Sequence, residues 1–181
     1  MGALVCERLA PNYCRFEEIS NWRGYATLRS ALDIVWVQIS DKRINTDQRD
    51  HMLRDCDKLV PSADDFSTNT VSMAIDAAAS VCVLLEAISG ASPEKIAEIC
   101  TAAVDTVHMY LQSSEFDDCV VFGSEEDAAI LVHPLMQTEL KRQREDYQML
   151  AETLDISPEF IANVRRLAEE RGSNLGNIGV G

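Results

Sequence analysis

The chain has 181 residues and 46% hydrophobic content, with 6% aromatics, eight glycines and five prolines. That length suits one domain with a sizeable core, and so few turn-forming residues favour helices over a many-turned β fold. A formal net charge of −14 disfavours binding to nucleic-acid phosphates or anionic membrane surfaces.

The charge is uneven. Residues 61–139 carry fourteen acidic side chains and one basic one, Lys95, whereas the rest is nearly balanced. Solubility is the simplest consequence, although a cation or basic partner remains compatible. The six cysteines, at 6, 14, 56, 82, 100 and 119, form no CxxC pair, and the sequence shows no charged-then-apolar leader with a cleavage site. Reduced thiols in a cytoplasmic protein are the expectation.

In chain order, residues 4–9 read as the end of a helix starting at Met1. Pro11 is expected to break it, with Tyr13, Phe16 and Ile19 on a second short helical piece. Residues 21–25 form a turn. Leu28, Leu32, Val35, Trp36 and Ile39 then mark a helical stripe, and Met52, Leu53, Cys56, Leu59 and Val60 mark another, ended by Pro61.

Val71 to Ile88 contains only two charges, Asp76 and Glu86. At 100° per residue, Ser72, Asp76, Ser80 and Glu86 fall within a sector about 120° wide, and all else is apolar. Such a helix is expected at the centre of the fold. Its length approaches a membrane span, but Asp76 would cost about 2.5–3.5 kcal/mol in a bilayer and no basic anchors flank it, so the reading is a core helix without membrane association.

Gly90 closes that helix, and Ser92-Pro93-Glu94 starts the next, with stripe Ile96, Ile99, Cys100, Ala103, Val107, Tyr110 and Leu111. Residues 119–122 are β-like and short, or a buried loop. Ser124 starts a short helix and Pro134 a longer one with Met136, Leu140, Tyr147, Leu150 and Leu154 as its buried stripe. Ser157-Pro158-Glu159 repeats the start signal, and Gly172 is placed to end the last helix before a Gly-rich tail, 172–181. The prediction is all-α: one domain over residues 1–181, a bundle of about seven or eight helices around Val71–Ile88.

No nucleophile elbow, HExxH, P-loop or Rossmann fingerprint occurs, and no cofactor is called for. Asp47, His51 and Asp55 share one helix face and Asp105 and His108 another, but the repeated Glu-x-x-His of di-iron bundles is missing. Exposed ionic pairs are the simpler reading. Asp33 has Arg29 one turn away, and His133 sits where an imidazole can cap the helix at Pro134. Asp76 has no local cation: its neighbours one turn away are Ser72, Met73, Ala79 and Ser80. A buried carboxylate needs a partner or a proton. Either a distant Arg8 or Arg29 pairs with it, or it forms the floor of a ligand site.

Cys6-Glu7-Arg8, Pro11-Asn12-Tyr13 and Phe16 resemble the opening of the bacterial YjaG-like family, domain of unknown function 416. The similarity continues through residues 32–36, Ile44-Asn45 and 74–77, then His133-Pro134-Leu135-Met136, and ends at residues 173–179. It covers nearly the whole chain. The resemblance implies an all-helical, cytoplasmic bacterial protein and supplies no activity, cofactor or catalytic residue. Members begin further upstream, so the first helix is expected to be shortened here.

The functional expectation is a non-catalytic binding or interaction protein, with a homodimer through an apolar helical face as one form. The alternative is an enzyme or small-ligand binder built on a polar cluster of Asp76, Arg8, Asn12, Tyr13, Asp33 and His133. A helical-bundle metal site ranks third.

Overall fold

The start signals read from the sequence operate as local chemistry in the computed structural model, which describes residues 1–41, 43, 45–68, 70–90, 92–114 and 124–176. Ser157 Oγ accepts the Phe160 amide at 3.1 Å, and Ser92 Oγ accepts that of Lys95 at 3.4 Å. His133 Nδ1 takes the Leu135 amide at 3.2 Å, so this imidazole is an N-cap. Asn45 caps a further helix through the Gln48 amide at 3.0 Å. Gly172, with φ of 63°, ends the last helix in a conformation that favours glycine.

Between these signals run eight α-helices among the described residues: α1 (Gly2–Ile19), α2 (Tyr25–Asp41), α3 (Thr46–Asp57), α4 (Thr70–Ala87), α5 (Pro93–Ser114), α6 (Ser124–Val132), α7 (Pro134–Glu152) and α8 (Pro158–Arg171). A 3₁₀ turn, Ala63–Asp65, links α3 to α4. The architecture is all-α, as the composition implied. Residues 119–122 and the last five residues of the Gly-rich tail, 177–181, lie outside the described residues.

The expected break at Pro11 does not occur: α1 continues through it. An interior proline costs about 3 kcal/mol in a helix. The offset is burial, since twelve of the eighteen residues of α1 are buried while Pro11 is itself only half-buried. Helix α4 buries ten of eighteen, so the apolar stretch read as central is a core element. It packs chiefly on α1, then on α5 and α3, while α1 also touches α2, α5 and α8. Although α4 is long and apolar enough to cross a membrane, this packing spends its apolar surface inside the bundle. A smaller core of Met73, Val107, Leu111, Ile130, Met136 and Leu175 joins α4 and α5 to α6, α7 and the start of the tail. Of the stripe expected to be buried on α7, Tyr147 is exposed, and Leu154 lies exposed beyond the helix end at Glu152.

Candidate functional site

Successive residues on a helix point about 100° apart, and α1 uses that offset at Glu7 and Arg8. Glu7 meets α2: Trp36 Nε1 donates to Oε1 at 2.6 Å, and Arg29 donates to both carboxylate oxygens at 2.5 and 2.6 Å. Arg29 also reaches Asp33 at 3.4 Å, and Arg165 of α8 holds Asp33 at 2.5 Å. The pairing of Asp33 with Arg29 read from helical spacing is present, extended by a second arginine.

Arg8 meets α7. Its Nε and one terminal nitrogen grip Glu139 at 3.2 and 3.1 Å, while the other terminal nitrogen donates to Asp146 at 2.6 Å. Asp146 also accepts from Arg171 at 2.8 Å, and Gln143 donates to Glu139 at 2.9 Å. Arg8, Glu139 and Asp146 are each at most 1% exposed. Burial would lower the Arg8 pKa, but the two carboxylates more than offset it and hold the guanidinium charged.

One turn on, Asn12 donates to Asn174 at 2.8 Å and accepts from Ser173 at 2.7 Å, and Asn174 donates to the Ala103 carbonyl at 3.0 Å. These bonds tie the end of α8 to α1 and α5. Tyr13 donates to the Leu59 carbonyl at 2.8 Å and accepts from Trp22 Nε1 at 2.8 Å, and burial pushes its phenol up to about 12.

Asp76 stands apart from all of these. Thr106 Oγ1 donates to its Oδ2 at 2.7 Å, and among the described residues no cation pairs with it. Burial raises the carboxyl's pKa; the Thr106 hydrogen bond opposes this and Asp105 adds to it. Asp76 lines a crevice of about 60 Å³ between α4 and α5. Of the proposed grouping of Asp76 with Arg8, Asn12, Tyr13, Asp33 and His133, none of the other five hydrogen-bonds to Asp76 among the described residues, and each has partners of its own. The sequence reading missed Glu7, Glu139 and Asp146. The signal for the α7 pair was present, because Glu139, Gln143 and Asp146 recur at i, i+4 and i+7 on one helix face.

The histidines and Asp55 of the metal-ligand patterns meet other side chains in pairs. His51 and Lys58 both meet Asp55, at 3.1 and 3.0 Å, and His108 meets Asp127 at 3.2 Å. Among the described residues, no three His, Cys, Asp or Glu side chains are grouped to hold a metal ion.

An apolar opening lies at the start of α1. A cavity of about 380 Å³ is walled by residues including Leu4, Trp36, Ile39, Leu84, Ile156 and Phe160. At Gly2, α1 runs close to α4 and α5: a Cβ there would stand 3.0 Å from the tips of the Leu84 and Ile96 side chains. Ile156, on the groove wall, is 46% exposed.

The chain is 30% identical to the uncharacterized protein YjaG of Escherichia coli K12, over 97% of this chain and 87% of that protein. It is 28% identical to an uncharacterized protein of Haemophilus influenzae, over 98% of this chain and 87% of that one. The crystal structure of a DUF416 family protein from Shewanella baltica OS155 superposes with a TM-score of 0.87 at 27% identity, covering 97% of this chain and 89% of the other. The family model for proteins of unknown function DUF416 matches residues 1–181. The chain belongs to the DUF416 family.

Proposed function

We propose that the protein is a non-catalytic binding protein whose contact surface is the apolar groove at the start of α1. The observation carrying this reading is the groove itself: about 380 Å³ walled by α1, α2, α4 and α8 and opening beside the exposed Ile156. Apolar openings of this size at the meeting point of several helices are sites where ligands or partner side chains seat. The reading also draws on the polar interior, where Arg8, Glu7 and Asn12 are consumed by bonds within the chain. Five described cysteines, all free, suit the reducing cytoplasm as its compartment.

A second copy of the chain is the first partner to test. Light scattering on the wild type is expected to give twice 20.1 kDa, and Ile156→Glu, which places a charge on the groove wall, 20.1 kDa with unchanged helical circular dichroism. A monomeric wild type that also fails to bind an apolar fluorescent dye sinks the proposal.

A further inference from the structure

The crevice on the α4–α5 seam is small but chemically one-sided. Asp76, Ala79, Ser80 and Val83 form its α4 wall, and Glu98, Ile99 and Ala102 its α5 wall. The α4 residues recur at i, i+3, i+4 and i+7, so they share one face. Ser80 is 2% exposed and its Oγ has no hydrogen-bond partner. Leaving a buried hydroxyl unpaired carries a desolvation penalty, so this atom is short of a ligand. The Thr106 hydroxyl has one proton and two acceptors in reach, Asp76 Oδ2 at 2.7 Å and the Ala102 carbonyl at 2.9 Å. Asp76 is thus only partly satisfied. Glu98 stands exposed on the same crevice.

We propose that this crevice binds a primary alkylammonium group, the cationic end of a linear aliphatic amine, between Asp76, the Ser80 hydroxyl and Glu98. The polar atoms on offer are two carboxylates and a hydroxyl, so the complementary group must bring donors and positive charge. An ammonium head brings three N–H donors. A volume of about 60 Å³ admits that head and little else, leaving Ala79, Val83 and Ile99 to pack the first methylene. Hard divalent ions fit poorly: calcium takes six to eight oxygen ligands and magnesium a full octahedron. The surrounding sequence attracts cations, because residues 61–139 hold fourteen acids against Lys95, and Lys95 is itself engaged by Glu86. This site is separate from the apolar groove and stands or falls without it.

The test is calorimetric titration of the full chain with two amines, cadaverine and Nα-acetyl-lysine amide, with tetramethylammonium at matched ionic strength as the control lacking N–H donors. Saturable single-site binding of either amine is expected, weakened roughly tenfold or more in Asp76→Asn, equivalent to about 1.4 kcal/mol. Ser80→Ala, which removes only the unpaired hydroxyl and keeps the fold, is expected to weaken it several-fold. Tetramethylammonium should give no saturable heat. Binding of cadaverine alone assigns the site to free amines, whereas binding of the lysine derivative extends it to lysine side chains, and both outcomes support the proposal. Equal binding by wild type and both variants would mean diffuse attraction to an acidic protein and overturns it, as does the absence of saturable heat through millimolar concentrations.

Discussion

Arg8 and Asp76 sit on the two most buried helices and meet opposite fates. On α1, the Arg8 guanidinium is enclosed by Glu139 and Asp146, and those carboxylates are themselves held by Gln143 and Arg171. On α4, Asp76 receives one hydrogen bond from a threonine that divides its proton, beside a crevice and an unpaired Ser80 hydroxyl. The comparison separates two uses of a buried charge. A charge whose hydrogen-bonding capacity is met inside the chain fixes how helices dock. One left half-met on an accessible seam retains the capacity to take something up.

The largest expected effect comes from breaking the enclosed side. Arg8→Met leaves Glu139 and Asp146 buried without their shared cation, and should lower the unfolding free energy by about 3–5 kcal/mol in urea melts. Adding Glu139→Leu to that variant should recover part of the loss, since it removes one of the stranded charges. A loss under about 1 kcal/mol, the range of exposed pairs, would show that Arg8 is solvated in solution and would dissolve the contrast with Asp76.

Tyr13→Phe tests a milder member of the same enclosed set. The phenol donates to the Leu59 carbonyl, and its removal should cost about 1 kcal/mol, because Trp22 retains that carbonyl at 3.1 Å. The alkaline limb adds a second reading. In the unfolded chain the phenol ionises near 10.0, in the fold at about 12, so between those values the unfolded state binds fewer protons. Stability therefore falls as pH rises from 10.0 to about 12, and the phenylalanine variant should descend less steeply there.

The same contrast governs what sequence reasoning could reach. Features that act within one turn were legible: the serine and histidine caps, Gly172, the Arg29–Asp33 pair and the apolar run that became α4. Each is settled by neighbours no more than about one helical turn away. The Arg8 cluster joins residues 131 and 138 positions apart, and no local pattern states that α7 will come within reach of the Arg8 side chain. Pro11 misled for the same reason, because its local penalty is outweighed by burial that only the tertiary fold supplies. Asp76 lies between these cases. Its lack of a local cation was evident, but its actual contacts, Thr106 and the crevice shared with Ser80 and Glu98, come from α5 and the packing of the seam.

The smallest effect, and the one with opposite sign, belongs to Asp76→Asn without added ligand. Burial holds the Asp76 carboxyl above its ordinary value, against the opposing Thr106 bond and with Asp105 adding to the rise. The folded chain therefore keeps this proton to a higher pH than the unfolded chain does. Stability falls as pH climbs from the ordinary carboxylate range through the raised value, and this residue contributes no further change above it. Asparagine does not ionise and can still accept from Thr106, so the variant escapes that fall. It should be more stable than wild type at neutral pH, with the gain shrinking on acidification below the ordinary carboxylate range. Paired urea melts at the two pH values read the difference directly. A variant that instead loses stability at neutral pH would place Asp76 with Glu139, as a charge the fold depends on.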